Sequence, residues 1–338
     1  MKTVRTGRVK NALSRAGTLI WHLLERRRSG MPASSSGGAD GGLGSGLWID
    51  APDAESRIAD APVSDSAKRI AMAIRNEGLA VVRQAHDPET CRRVIEDYTR
   101  YIAENASYAA QHLDALGREK RLVNFHLWSD AAARIGTAST VMHLLDFVFG
   151  REAAVYTSLT FRYGTQQPVH RDTPHFATWP HNLFVGVWTA LEDVKADAGP
   201  LFYHPGAHRF AVDPGVFAEQ ARQRLPDASV EDQLGLALDL YNGEIIRTAP
   251  QIAPPVEVLL AAGDTVIWHP ELPHGGLPSR DTGRTRWSMV FHCAPADVQV
   301  HQHDRFFTHK GDTPPPVRYG YRSMHGRQVA QAGGVAFM

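Results

Sequence analysis

The residues best suited to chemistry begin with His170 and Asp172, inside Gln166-Gln167-Pro168-Val169-His170-Arg171-Asp172-Thr173-Pro174-His175-Phe176. On an extended backbone, residues i and i+2 point to the same face, so this imidazole and carboxylate would project side by side. A histidine and a carboxylate make up two-thirds of the facial site that holds non-haem iron(II). H-x-D alone is a short triplet that arises by chance, and it equally describes a solvated loop or a core hydrogen bond. A metal site needs a second histidine from elsewhere. The stretch Gly263-Asp264-Thr265-Val266-Ile267-Trp268-His269-Pro270-Glu271-Leu272-Pro273-His274-Gly275-Gly276 offers two, His269 and His274. Two glycines after His274 allow a close backbone approach and favour it, while His269 reads as a residue packed or hydrogen-bonded in the sheet.

Further on lies Arg284-Thr285-Arg286-Trp287-Ser288. On a strand, Arg286 and Ser288 share a face, and a guanidinium fork beside a hydroxyl is a good carboxylate receptor. Taken alone, the pair would be a surface salt-bridge arginine and a core serine. One strand after a metal histidine, it answers a need: a cosubstrate that chelates iron and carries a second carboxylate at its far end.

The rest of the chain must position these groups. Its 338 residues suffice for one large domain or two ordinary ones, and 43% hydrophobic with 21% charged residues describes a soluble globular protein. Lys+Arg and Asp+Glu both number 36, so net charge gives no argument for a nucleic-acid partner. Only two cysteines occur, Cys91 and Cys293, which excludes a disulfide scaffold and a cysteine-based zinc site and suits a reducing cytoplasm. Residues 1–28 read as a basic, possibly amphipathic arm, either a poorly ordered tail or a dock for a membrane surface or partner. Their apolar run is too short to span a membrane. Residues 29–46 are a Gly/Ser-rich linker, 47–310 the main domain, and 311–338 a C-terminal tail.

Within the domain, residues 60–150 are mostly helical. Ser64 and Asp87 stand at helix starts, Gly78 and Gly150 at helix ends, and Leu79–Arg83 reads as a strand between. From 151 to 300 the pattern is short β-branched and aromatic runs separated by Gly, Pro and Asp, broken by a polar, helix-leaning insertion at 214–247. Many short strands without alternating helices predict an antiparallel sandwich or jelly roll.

The motifs, in order, are Thr165 to Asp172, then Val187-Trp188-Thr189-Ala190-Leu191-Glu192-Asp193, Gly199-Pro200-Leu201, Pro205-Gly206-Ala207-His208-Arg209, Gly263-Asp264, His274-Gly275-Gly276 and Thr285-Arg286-x-Ser288. This series resembles the phytanoyl-CoA dioxygenase family of Fe(II)/2-oxoglutarate oxygenases over roughly residues 60–300. The resemblance implies a mainly β protein, a double-stranded β-helix (jelly roll, cupin-like) with N-terminal helices packed outside it. It implies that His170, Asp172 and His274 bind Fe(II) and that Arg286 holds the distal carboxylate of 2-oxoglutarate. Ser288, Trp188 and Gln167 are read as further residues for that cosubstrate. The implied activity is hydroxylation of a small molecule with O2, 2-oxoglutarate going to succinate and CO2; the Asp172 carboxylate argues against halogenation. His175, Phe176, Trp179 and His126 are candidates to line a substrate pocket, against ordinary packing. The rival readings are a non-catalytic jelly roll that binds a small molecule or carbohydrate, and a cupin metalloenzyme that would leave Arg286 idle.

Overall fold

A computed structural model describes residues 46–301, 303–308 and 319–338. The basic arm at 1–28 and all of the linker but Gly46 lie outside the described residues. The strands are β1 (Leu79–Val82), β2 (Leu122–Val123), β3 (Ala153–Phe161), β4 (Ala177–Thr178), β5 (Val185–Ala190), β6 (Leu201–Tyr203) and β7 (Val256–Val258). They continue with β8 (Thr265–Trp268), β9 (His274–Gly276), β10 (Ser288–Pro295), β11 (Val300–His301), β12 (Tyr321–Met324), β13 (Arg327–Ala330) and β14 (Ala336–Phe337). The large sheet runs β1-β8-β5-β10-β3-β13-β12, with β2 on β3 and β14 on β2. A smaller sheet, β7-β6-β9, faces it, and the two interior faces share an apolar layer that includes Trp188, Val266, Val290, Leu201 and Val258. This is the jelly roll that the strand pattern predicts.

Parity explains why the large sheet carries two cores. β10 is buried along its whole length, so successive side chains serve opposite faces. Met289, Phe291 and Cys293 pack into the layer beneath the N-terminal helices, and Val290 into the barrel. Burying a ring such as that of Phe291 stabilises the fold by about 1.5–3 kcal/mol. Gly136 makes room for it: a Cβ there would sit 2.3 Å from the ring.

The helices that cover this face begin and end where the sequence predicts. Ser64 caps the Asp65–Glu77 helix by accepting from Ala67 N–H, and Gly78 closes it with φ +82°. Asp87 does the same for Pro88–Glu104 by accepting from Thr90 N–H, and Gly150 ends Ser139–Phe149. Ile70, Ile74, Val94 and Tyr98 turn their side chains onto the sheet.

Three features depart from the expectations. The insertion is a pair of helices, Pro214–Arg224 and Val230–Ile252, longer than the stretch 214–247. The H-x-D segment is no regular strand, because His170 makes an isolated bridge with His274 and the chain bends at Asp172. And the stretch read as a C-terminal tail supplies strands: β13 runs parallel to β3, and β14 pairs with β2. Short strands that pair far along the chain leave little local signal, which is why the composition of 319–338 conceals them.

Candidate active site

His170 lies outside any strand but bridges directly to His274 at the start of β9, in the small sheet, and Asp172 follows two residues after His170. One donor atom from each of His170, Asp172 and His274 lies within 4.8 Å of the other two, and all three residues are buried. His170 Nδ1 sits 2.8 Å from the Pro168 carbonyl and His274 Nδ1 2.9 Å from that of Leu272. A carbonyl can only accept, so each Nδ1 carries the proton and each Nε2 presents its lone pair. Those Nε2 atoms lie 3.6 and 3.8 Å from the Asp172 carboxylate. Burial, reinforced by His274, pushes the His170 imidazole down to about 3, so it is neutral, the form that ligates a metal. Gly275 permits the close approach: a Cβ there would lie 2.7 Å from the Gln167 carbonyl oxygen.

Asp172 is held on its second oxygen. Trp268 Nε1–H donates to Oδ2 at 2.9 Å, and His292 Nε2 lies 3.2 Å from the same atom. That leaves Oδ1, the oxygen nearer His170, for a ligand. Burial alone would raise this carboxyl's pKa, but His274, His292 and His170 more than reverse that and hold it below the usual range. The indole has its place because β5 carries Gly186 opposite it, where a Cβ would meet the Trp268 ring at 2.0 Å. Two imidazoles and a carboxylate facing one point, with each Nδ1–H tied back to a carbonyl, fit a divalent metal.

The three residues line one end of a cavity of about 70 Å³, whose wall also includes Gln167, Trp188, Arg286 and Arg121. Arg286 is buried beside the Trp188 ring, its guanidinium 5.6 Å from the ring centroid. It donates to the Gly199 carbonyl at 2.7 Å, while its Nε has no hydrogen-bond partner. Burial lowers its pKa to about 10, so it stays cationic. Gln167 stands over the first ligand, its Nε2 3.1 Å from His170 Nε2. Ser288 is fully buried but absent from the cavity wall, its hydroxyl 3.3 Å from the Arg286 carbonyl just before β10.

Arg121 was not anticipated. It precedes β2, 3.0 Å from Met338 through its carbonyl, and brings a second guanidinium whose Nε is buried and unpartnered. Burial lowers its pKa to about 10, with Asp172 opposing the shift. One arginine among the charged residues of Gly117-Arg118-Glu119-Lys120-Arg121 carries no signal by itself. Only the pairing of β2 with β3 shows where it goes.

The four candidate substrate residues scatter. Phe176 stacks on His292 with ring centroids 3.7 Å apart, behind the Asp172 clamp. His175 is half-buried in the turn after Asp172, and Trp179 packs edge-to-face on His301. None of the three lines the cavity. His126 lies on the other side of β3, bonded to Ser158 Oγ at 2.6 Å and packed on Phe291, so its place is in the core under the helices. His269 pairs with Asp50 at 3.0 Å, away from the ligands.

A jelly roll with this donor set is the frame of a non-haem metal enzyme, and comparison with known proteins agrees. The family model for phytanoyl-CoA dioxygenase (PhyH) matches residues 74–288. The chain belongs to the phytanoyl-CoA dioxygenase family of iron(II)- and 2-oxoglutarate-dependent oxygenases. It is 28% identical to peroxisomal phytanoyl-CoA dioxygenase of Mus musculus over 135 residues, 40% of this chain and 35% of that protein. The match thus spans about a third of the length of such relatives. Among solved structures, EctD from S. alaskensis with 2-oxoglutarate and 5-hydroxyectoine aligns with a TM-score of 0.57 at 16% identity, covering 81% of this chain and 90% of that one. The epimerase SnoN, solved with Fe3+, alpha-ketoglutarate and nogalamycin RO, aligns with a TM-score of 0.53 at 18% identity, covering 78% and 98%. These likenesses show the fold. No helix among the described residues is long and apolar enough to cross a membrane.

Proposed function

We propose that the protein is an Fe(II)- and 2-oxoglutarate-dependent dioxygenase that hydroxylates a small molecule. The observation that carries this reading is the meeting of His170, Asp172 and His274 within 4.8 Å at a cavity whose wall also holds the buried cations Arg286 and Arg121. Iron(II) with 2-oxoglutarate supplies O2-dependent oxidation of a C–H bond, with succinate and CO2 as coproducts.

In this reading His170, Asp172 and His274 would hold the Fe(II). Arg286 receives the distal carboxylate of 2-oxoglutarate, with Arg121 as a second positive charge in the same wall. Trp188 packs against the Arg286 guanidinium and fixes its plane. Trp268 and His292 keep Asp172 turned toward the metal. Leu159, Phe161 and Val290 form an apolar wall that excludes water and strengthens each of these charge contacts. The retained carboxylate supports hydroxylation over halogen transfer. EctD and SnoN show that one fold serves a hydroxylated product and an epimerisation, so product analysis decides the outcome.

The test is anaerobic titration of the Fe(II)-loaded protein with 2-oxoglutarate, following the weak visible absorption of the chelate. A band in wild type that is lost in His274→Ala supports the reading. A wild type that binds no 2-oxoglutarate overturns it in favour of a non-catalytic binding protein.

A further inference from the structure

We propose that Arg171, the middle residue of His170-Arg171-Asp172, is a positioning residue of the metal centre. It clasps the two ligand-bearing segments together from the side opposite the ligands, and the inference rests on the metal-binding reading above. Side chains along the segment alternate, so Arg171 points away from the cavity that His170 and Asp172 line. It is 1% exposed, the largest fully buried side chain among the described residues. Its Nη1 donates to Glu271 Oε2 at 2.6 Å, three residues before His274. Its Nη2 lies 3.2 Å from the Ala207 carbonyl and 2.8 Å from that of Phe210, and its guanidinium stands 4.1 Å over the Phe210 ring.

Energetics make this arrangement informative. A buried ion pair contributes little net stability, and an apolar side chain of like volume would often stabilise the fold as well or better. What the guanidinium adds is direction: a planar fork reaches a carboxylate and two carbonyls at once. The position needs it. Backbone bonds join the two segments at Gln167/Gly276 and at His170/His274, on one side of the site. On the Asp172 side the chain bends away, and its carbonyl is taken by His175 and Phe176 of its own turn. Beyond the bridge, the Trp268 bond fixes the Asp172 carboxylate, and the Arg171–Glu271 clasp ties the neighbouring backbone of the two segments from the opposite side, so that Asp172 does not swing relative to His274. Through Phe210 it also fastens both to the base of the 214–252 helical pair, whose apolar layer includes Phe210 and Val169.

The experiment uses Co(II) as probe in the full-length protein, with two readouts: affinity by chelator competition and the visible ligand-field spectrum. Arg171→Met and Glu271→Ala are expected to weaken Co(II) binding about tenfold or more and to alter the spectrum. Glu271→Gln still accepts from the guanidinium and is expected to keep the wild-type spectrum. A folded Arg171→Met with wild-type affinity and spectrum overturns the proposal; if that variant does not fold, Glu271→Ala decides by the same readouts. A wild type that binds no Co(II) refutes the metal-binding reading itself, a different result from a wild type and variants that bind alike.

Discussion

His170 and His274 exchange both backbone hydrogen bonds, N–H to carbonyl at 3.0 Å in each direction. In an antiparallel pair of this kind, directly opposed side chains share a face, and the two imidazole centroids stand 4.5 Å apart. Two-thirds of the donor set therefore follows from main-chain pairing that a substitution such as His274→Ala leaves in place.

Ligand loss should accordingly separate from fold loss. His274→Ala and Asp172→Ala are expected to lower metal affinity by more than about 100-fold, beyond what outer-shell changes cause, while keeping the wild-type circular dichroism spectrum. Equilibrium dialysis with Fe(II) or Co(II) checks this. Either variant retaining stoichiometric metal at wild-type affinity would remove that residue from the donor set.

The distal carboxylate should be felt most through Arg286. Truncating one partner of a buried charge pair costs about 2–5 kcal/mol, so Arg286→Ala is expected to weaken 2-oxoglutarate binding about 30-fold or more. Arg121→Ala should act in the same direction. Calorimetric titration of the metal-loaded variants measures both. Unchanged affinity in Arg286→Ala would mean that the carboxylate binds elsewhere.

Gly186 gives a test of the Asp172 clamp at a residue without polar side-chain atoms. Gly186→Ala places a methyl group where the Trp268 indole now lies. The indole must shift, and its N–H to Asp172 Oδ2 lengthens or breaks. We expect metal affinity to fall about tenfold, as in Trp268→Phe. A crystal structure of the alanine variant with Trp268 unmoved would contradict the argument.

Acid should destabilise the protein through its buried histidines. Burial pushes His126 down to about 3, whereas an unfolded histidine titrates near 6.5. The stability tied to keeping it neutral is complete above about pH 6.5 and is lost progressively as pH falls toward about 3. At pH 5 the loss amounts to about 2 kcal/mol for this residue alone. His86 and His208, each lowered to about 4 by burial, add to it in the same direction. Urea unfolding at pH 7.5 and 5.0 should show His126→Asn losing about 2 kcal/mol less than wild type. Equal losses would exclude His126 as a contributor.

What could be read from the sequence was local and ordered. Helix caps at Ser64 and Asp87, the strand pattern, the H-x-D pair and Arg286 each carry their signal within a few residues. What could not be read depends on pairing at a distance. By sequence His126 is a candidate for either the pocket or ordinary packing, and only the pairing of β3 decides for packing, by presenting Ser158 to it from the helix-covered face. Ser288 shares parity with Arg286, but its hydroxyl turns back to the Arg286 carbonyl instead of into the cavity. Arg121 depends on a two-residue strand, and no periodicity exists in two residues.

The last strand bears on how the protein is made. β14 is the outer neighbour of β2, with Phe337 opposite Leu122. During synthesis the helical layer and the β3–β10 pair can form well before Phe337 leaves the ribosome. Until then β2 shows an open edge, a template for pairing with another chain. A chain lacking residues 336–337 would leave that edge of β2 uncovered and is expected to be prone to aggregate.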